Sequence, residues 1–343
     1  MKRSLNSKAA LIFLAIIFIL CIASSALILN SQKTKLLKAE SDMPESAIST
    51  YFKQIKNNEF DEIYDDSLII DPHLNTKDDY IDALKEIYKD VDLDKLNFIK
   101  DDEDMYQITY ENKLISNLRL IKSNDGKYIA STIFKGDNNY TVQVPLDVTL
   151  LVNNNEIDDT YITLKEVPAN NFNGLSNKDD APIVNTYQIN NLINEPEITI
   201  KESGYGIIKD VLNDYYYVGK LPTDDSYKTL FENTAKAIAK YPTKDGGLNA
   251  IPFITNSDFH NRVKTLDNQW YAPHNTATFS NVEIKDVIMQ SDNTMIGNIT
   301  MDYYIASSSA SKTYHIGYQI TFLNNKIAGF AIDNDLNPLN KEE

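Results

Sequence analysis

The chain is 343 residues long, enough for about two domains at roughly 150 residues each. Its 42% hydrophobic and 24% charged residues exclude a wholly disordered or collagen-like chain, and its single Cys excludes an intrachain disulfide framework. The net charge of −16 argues against nucleic acid as a partner.

Residues 1–8 form a basic tail, and Ala9 to Leu29 form a run without charge, interrupted only by Ser24 and Ser25. A helix of that length crosses a hydrocarbon core of about 30 Å, so the run predicts a single-pass transmembrane anchor. Lys2, Arg3 and Lys8 in front of it predict a cytoplasmic N-terminus and an extracytoplasmic bulk, although Lys33, Lys35 and Lys38 follow. The alternative is a signal peptide cleaved after Ala26, which would release a secreted protein. The apolar run continues through Leu27, Ile28 and Leu29, which favours the anchor. Cys21 reads as a small apolar residue facing lipid, because Leu20 stands where a lipidated Cys has a small neighbour. Of the net charge of −16, the first 29 residues contribute +3, which leaves −19 for the rest. An acidic, cysteine-free exterior fits a bacterial cell envelope and is repelled by anionic polymers.

Residues 30–43 read as a polar stalk. Pro44 opens a helix with Ile48, Tyr51, Phe52 and Ile55 at the 3.6 period. Phe60, Ile63 and Tyr64 predict a shorter one. Thr76 and Asp79 resemble a capping box, followed by the stripe of Tyr80, Ala83, Leu84, Ile87 and Tyr88. The period then changes to two. Tyr106, Ile108 and Tyr110 alternate with polar residues, Asn124-Asp125-Gly126 turns the chain, and Tyr128 to Phe134 returns. Within 139–203, Tyr140, Val142 and Val144 alternate up to Pro145, Val148, Leu150 and Val152 follow, and Ile198 to Ile200 closes. These short strands predict a small β module with a loop at 168–185. Ile207, Ile208, Val211, Leu212, Tyr215 and Tyr216 then fit a helix, and Tyr227 to Ala239 a second, capped by Asp224 or Asp225. Ser257 or Asp258 caps a third, with Phe259, Val263, Leu266 and Trp270 on one face. Four strands finish the chain: 278–288, 299–305, 314–322 and 327–332, joined by turns at 291–293, 307–312 and 324–325.

Helices followed by a meandering antiparallel sheet predict an α+β class. Two such blocks, 44–138 and 204–343, flank the module at 139–203. The stretches Ser49-Thr-Tyr-Phe-Lys-Gln-Ile, Glu59-Phe-Asp-Glu-Ile-Tyr and Thr76-Lys-Asp-Asp-Tyr-Ile-Asp-Ala-Leu-Lys-Glu-Ile-Tyr resemble the nuclear-transport-factor-two-like fold. They look especially like the non-catalytic N-terminal domain of some Gram-positive penicillin-binding proteins. The block at 204–334 is similar in layout, and Tyr140-Thr-Val-Gln-Val-Pro with Leu151-Val-Asn-Asn-Asn resembles small β linker modules of Gram-positive surface proteins. The resemblance implies two cone-shaped domains, each a curved antiparallel sheet with helices packed on it. It implies no single activity, because the fold hosts enzymes, binders and scaffolds.

The letters of penicillin-binding motifs occur at Ser309 to Lys312 and at Ser291 to Asn293, in predicted turns and in reversed order, and Tyr314 follows Lys312-Thr313 where Gly is needed. Asp90, Asp92 and Asp94 have the spacing of a calcium loop, but Lys95 stands where Gly belongs. Of the four His, no two stand at i, i+4, which disfavours zinc. His260 reads as a surface or capping residue. Asp302, Tyr304 and His315 share the polar side of adjacent predicted strands and are candidates for acid–base chemistry. Trp270, Tyr271 and His274 form an aromatic patch near a helix end and are candidates to edge a ligand groove. The sequence therefore predicts a membrane-anchored, non-enzymatic binding or scaffold protein of the bacterial envelope, without cofactor or resident metal. Its partners are the membrane and an envelope protein, peptide or wall fragment. The alternatives are an enzyme using the C-terminal cone and a regulatory partner of wall synthesis or secretion.

Overall fold

A computed structural model describes residues 29–33, 35, 43–67, 70–123, 126–136, 138–333 and 335–336. The expected tail at 1–8, the anchor at 9–29 except its last residue, and much of the stalk lie outside the described residues. So do Asn124 and Asp125 of the expected first turn. Among the described residues no helix is long and apolar enough to cross a membrane. The chain divides after Lys135 into two compact units.

The first unit opens with three helices, α1 (Pro44–Asn57), α2 (Phe60–Asp66) and α3 (Lys77–Ile87). Asn58, at φ 58°, turns the chain out of α1, a left-handed cap that Asn tolerates. The capping box at α3 is formed: the Asp79 N–H donates to Thr76 Oγ1 at 3.1 Å, and the Thr76 N–H to Asp79 Oδ2 at 3.2 Å. Four antiparallel strands follow in sheet order, β1 (Asn97–Lys100), β2 (Met105–Tyr110), β3 (Lys113–Lys122) and β4 (Tyr128–Ile133). α1 packs on β4, and Ile48, Tyr51, Tyr80, Leu84, Ile108 and Leu118 are buried inside. This interior is unusually rich in hydroxyls. Tyr51 is hydrogen-bonded to Thr132 and reaches Tyr88 at 3.4 Å, and Tyr88 meets Ser116 at 3.1 Å.

The second unit is built on a nine-stranded sheet. Its early strands are β5 (Tyr140–Pro145), β8 (Ile162–Pro168), β9 (Ile183–Ile189), β11 (Tyr205–Lys209) and β12 (Tyr215–Lys220). β6 (Leu150–Val152), β7 (Asn155–Glu156) and β10 (Ile198–Ile200) form a separate small sheet. Two helices, α4 (Ser226–Lys240) and α5 (Asp258–Val263), precede the meander of β13 (Thr276–Ser291), β14 (Thr294–Ala306), β15 (Ser311–Leu323) and β16 (Lys326–Ile332). The order across the sheet is β16-β15-β14-β13-β12-β5-β9-β8, with β11 paired to β12. α4 lays Phe231, Ala235 and Ile238 against alternate residues of the meander, among them Ile299, Tyr303 and Ile320. Gly297 on β14 lets the helix approach: a Cβ there would stand 2.7 Å from Val287 and 2.9 Å from the Phe231 ring.

Four expectations need correction. The helix read at 207–216 is the β11–β12 hairpin. Its apolar pairs mimic a helical period, but Ile and Tyr favour a pleated surface, and Asp210 accepts the N–H groups of Leu212 (2.8 Å) and Asn213 (3.0 Å) to make the turn. The helix carrying Phe259 stops at Val263, and a 3-10 turn at Lys264–Leu266 follows it, so Trp270 is not on it. The module at 139–203 and the domain at 204–343 are not separate. β5 pairs in parallel with β12, and Ala169, Phe172 and Val184 share one apolar cluster with Leu323 and Ala328. The loop expected at 168–185 holds a 3-10 turn at Asn170–Phe172 and the start of β9.

Candidate functional site

The aromatic patch singled out in the sequence sits beside the end of α4. That helix stops at Lys240, whose carbonyl accepts the N–H groups of Asp245 (2.9 Å) and Gly246 (3.1 Å). Thr243 Oγ1 lies 3.1 Å from the same carbonyl, an alternative acceptor for its one hydroxyl proton. These bonds fold 241–247 into a tight loop that turns the Asp245 carboxylate toward β14, where it accepts from the Tyr303 hydroxyl and from Thr243 Oγ1 at 2.7 Å. Tyr303 is fully buried and stacks on Phe279 at 4.3 Å.

His274 completes the cluster. Its Nε2 lies 2.8 and 2.9 Å from the two Asp245 oxygens, and its Nδ1 lies 2.5 Å from the Ala272 carbonyl. Both neighbours are acceptors, an arrangement that favours the doubly protonated ring. The bond to the Ala272 carbonyl, followed by the Asp245 charge, holds the His274 pKa above its ordinary value. Burial alone would raise Asp245, but the bonds from Tyr303, Thr243 and His274 outweigh it and hold this carboxylate below its usual range. Burial, and then Asp245, push the Tyr303 hydroxyl up. Every polar atom here is spent on a neighbour, so the cluster works as a clamp between the α4 loop and the approach to β13.

The other two members of the patch go elsewhere. Trp270 stacks on Tyr314 at 5.7 Å, and the Tyr314 hydroxyl donates to the Trp270 carbonyl at 2.8 Å. Tyr271 is half exposed, with the Lys244 ammonium 5.1 Å from its ring.

The proposed acid–base set is only partly assembled. Asp302 and His315 are cross-strand partners on β14 and β15, and Asp302 Oδ1 lies 2.6 Å from His315 Nδ1. Asn281 Nδ2 donates to the other Asp302 oxygen at 2.7 Å. The pair lies on the sheet face opposite the core residues Met301 and Ile316, and the His315 side chain is 51% exposed. Tyr304 belongs to the same face two positions on, with its ring exposed. His260, expected at the surface, is buried: its Nδ1 accepts the Asn256 N–H at 3.1 Å and its ring stacks on Phe253 at 4.1 Å.

The calcium-like run is spent on local contacts. Asp92 caps a 3-10 turn and pairs with Lys95 at 3.1 Å, Asp94 pairs with Lys56 at 2.7 Å, and Asp90 turns the chain at φ 59°. Lysine and backbone contacts hold Asp92 low. Among the described residues no group of three His, Cys, Asp or Glu is placed to hold a metal ion.

Asp245 and Thr243 went unread in the sequence. The only local signal was a polar Thr-Lys-Asp-Gly-Gly run after an amphipathic helix, and nothing in the spacing ties it to His274.

No protein-family model matches the chain, and no curated protein matches it. Among solved structures, an Ntf2 like protein involved in plasmid conjugation aligns over 69% of this chain and 72% of that one. The identity is 10% and the TM-score 0.19. That likeness is compatible with the layout of helices on a sheet, and it carries no argument about function.

Proposed function

We propose that the chain is a non-enzymatic binding or scaffold protein of a bacterial cell envelope, tethered by residues 9–29 with its acidic bulk outside the cytosol. In this reading both helix-on-sheet blocks are nuclear-transport-factor-two-like, and they dock an envelope protein, a peptide or a wall fragment. The observation that carries the non-enzymatic part is the spent state of the His274–Asp245–Tyr303 cluster. A general base needs a free lone pair within reach of substrate, and here both ring nitrogens already face acceptors of the protein, the Ala272 carbonyl and the Asp245 carboxylate. The uncharged run before an acidic remainder supports the tether.

The test is expression of the full chain in a bacterium, followed by fractionation and protease treatment of intact cells. The expected result is a full-length protein in the membrane fraction that external protease digests. Crosslinking and pull-down of the anchored chain then identify the partner. A mature polypeptide free in the medium, trimmed after Ala26, would remove the tether, and a bulk reached only by cytosolic protease would overturn the location.

A further inference from the structure

We propose that a cavity of about 220 Å³ in the second unit binds an amino-acid-sized zwitterion, its carboxylate on Arg262 and its ammonium on Asp258 and Gln319. The cavity lies away from the His274 cluster, between the 3-10 turn at Asn170–Phe172, the β11–β12 turn, α5 and the strands β15 and β16. Drug-sized ligands fill about 300–1,000 Å³, so a cavity of this volume suits a smaller one.

Its charges are matched and unspent. Arg262 is one of three Arg in a chain with 49 acidic residues, yet neither its guanidinium nor the Asp258 carboxylate has an ion-pair partner among the described residues. The two stand at i and i+4 on α5, on one side of the helix. The third charge on the wall, Asp210, is consumed: it accepts from Leu212, Asn213 and, at 2.8 Å, the buried Tyr217 hydroxyl. Among the described residues of this wall one free cation and one free anion remain, which is the complement of a zwitterion. Guanidinium and carboxylate pair in a planar, bidentate way that also fixes orientation.

The floor is polar and fixed. Gln319 is 4% exposed and donates both N–H groups, to the Lys209 carbonyl at 2.8 Å and to Asn298 Oδ1 at 2.9 Å. Its Oε1 is therefore held as an acceptor, and an ammonium is the donor it lacks. Thr321 is 3% exposed, and its hydroxyl has no hydrogen-bond partner among the described residues. Opposite it, Gly329 leaves room. A Cβ there would stand 2.6 Å from the Asn171 carbonyl and 3.3 Å from Thr321 Oγ1. Phe330 and the exposed Leu212 supply apolar wall for the ligand's side chain. This site goes beyond the docking role proposed above and does not depend on the anchor.

The experiment is isothermal titration of the purified full chain, in detergent, with each of the twenty common amino acids. It continues with the N-acetyl and carboxamide forms of the best binder, and with glucose as a neutral, hydroxyl-rich probe. The expected result is saturable binding of at least one amino acid, with each blocked form weaker by about tenfold or more, the worth of one charged contact. Arg262→Gln, a change at an exposed helix position, is expected to weaken the parent ligand about tenfold while leaving Trp270 fluorescence unchanged. Three results would each overturn the proposal: no saturable binding by any amino acid, blocked forms or R262Q as tight as the parent, or glucose binding in their place.

Discussion

Asp245→Ala is expected to destabilise the second unit by about 3 kcal/mol. The carboxylate accepts from three donors, Tyr303, Thr243 and His274. Hydrogen bonds to charged groups contribute about 1.5–3 kcal/mol each. Two of the three are discounted. Thr243 keeps the Lys240 carbonyl at 3.1 Å, and the Asp245 side chain is 22% exposed, so water replaces part of what His274 loses. Tyr303 is the uncompensated one: it is fully buried and would keep only Thr243 at 3.3 Å. Taking the lower figure for each bond, with those discounts, leaves about 3 kcal/mol. In a unit of this size that is a fall in Tm of roughly 6–12 °C. The assay is thermal melting of the full chain followed by fluorescence of Trp270, the only Trp, which stacks on Tyr314 within the same unit. A melt within about 2 °C of the parent would show that the clamp does not hold the α4 loop, and would refute the reasoning.

The same clamp sets a pH window. His274 is raised above its ordinary value of 6.5, so its contribution is fully present below pH 6.5 and is lost as pH rises through the higher folded value. Asp245 is lowered from 3.8, so its contribution is present above that value and is lost as pH falls through the lower folded one. Stability from this cluster is therefore greatest between about pH 4 and 6.5 and declines toward alkaline pH. His274→Gln is expected to flatten the alkaline limb in melts taken across pH 5 to 9, and an unchanged limb would place its cause elsewhere.

In the first unit, Tyr51→Phe is expected to cost about 1–2 kcal/mol in urea unfolding, because the hydroxyl bridges Thr132 and Tyr88 in a buried site. Tyr80→Phe is expected to cost less than about 0.5 kcal/mol, since its buried hydroxyl has no hydrogen-bond partner among the described residues; equal costs would contradict this. His315→Ala removes one partner of a half-exposed pair and is expected to shift stability by less than about 0.5 kcal/mol, measured the same way.

How much of this was legible depended on how local the cause was. The capping box at Thr76, the helix start at Pro44 and the two-residue turn at Asn324-Asn325, both at positive φ, are written in neighbouring residues, and each is where the pattern put it. β1 left no trace, because it is a four-residue edge strand exposed throughout and so has no alternation. The 207–216 segment misled because pairs of apolar residues every four positions suit a helix and a hairpin alike, and only the turn chemistry of Asp210 and Asn213 separates them. The sites were less legible still. Asp302 and His315 were readable as cross-strand neighbours because strand register is predictable across a hairpin. Asp245 meets His274 across 29 residues, and Arg262 lines one cavity with Gln319, 57 residues on, and only the tertiary fold sets such proximity.

Strands from 139–203 complete the C-terminal sheet through the β5–β12 pairing. A chain restricted to 204–343 would keep both helices and the whole meander, the set of elements that reads in sequence as a complete domain. It would lose the parallel partner of β12, where Tyr215, Tyr216 and Tyr217 pair with Thr141, Val142 and Gln143. It would also uncover Leu323 and Ala328, now buried against Ala169, Phe172 and Val184. A buried Leu contributes about 1.5–3 kcal/mol, and an opened ladder adds unpaired strand edge next to Tyr217 and Val218, which are fully buried. Together these losses come to about 5 kcal/mol or more, against a net stability of about 5–15 kcal/mol for a typical domain. The 204–343 fragment is therefore expected to be aggregation-prone and to lack a cooperative melt, whereas 136–343 melts in one transition. A sharp transition in the shorter fragment, at the temperature of the longer one, would mean that the shared sheet contributes little and that two domains are present after all.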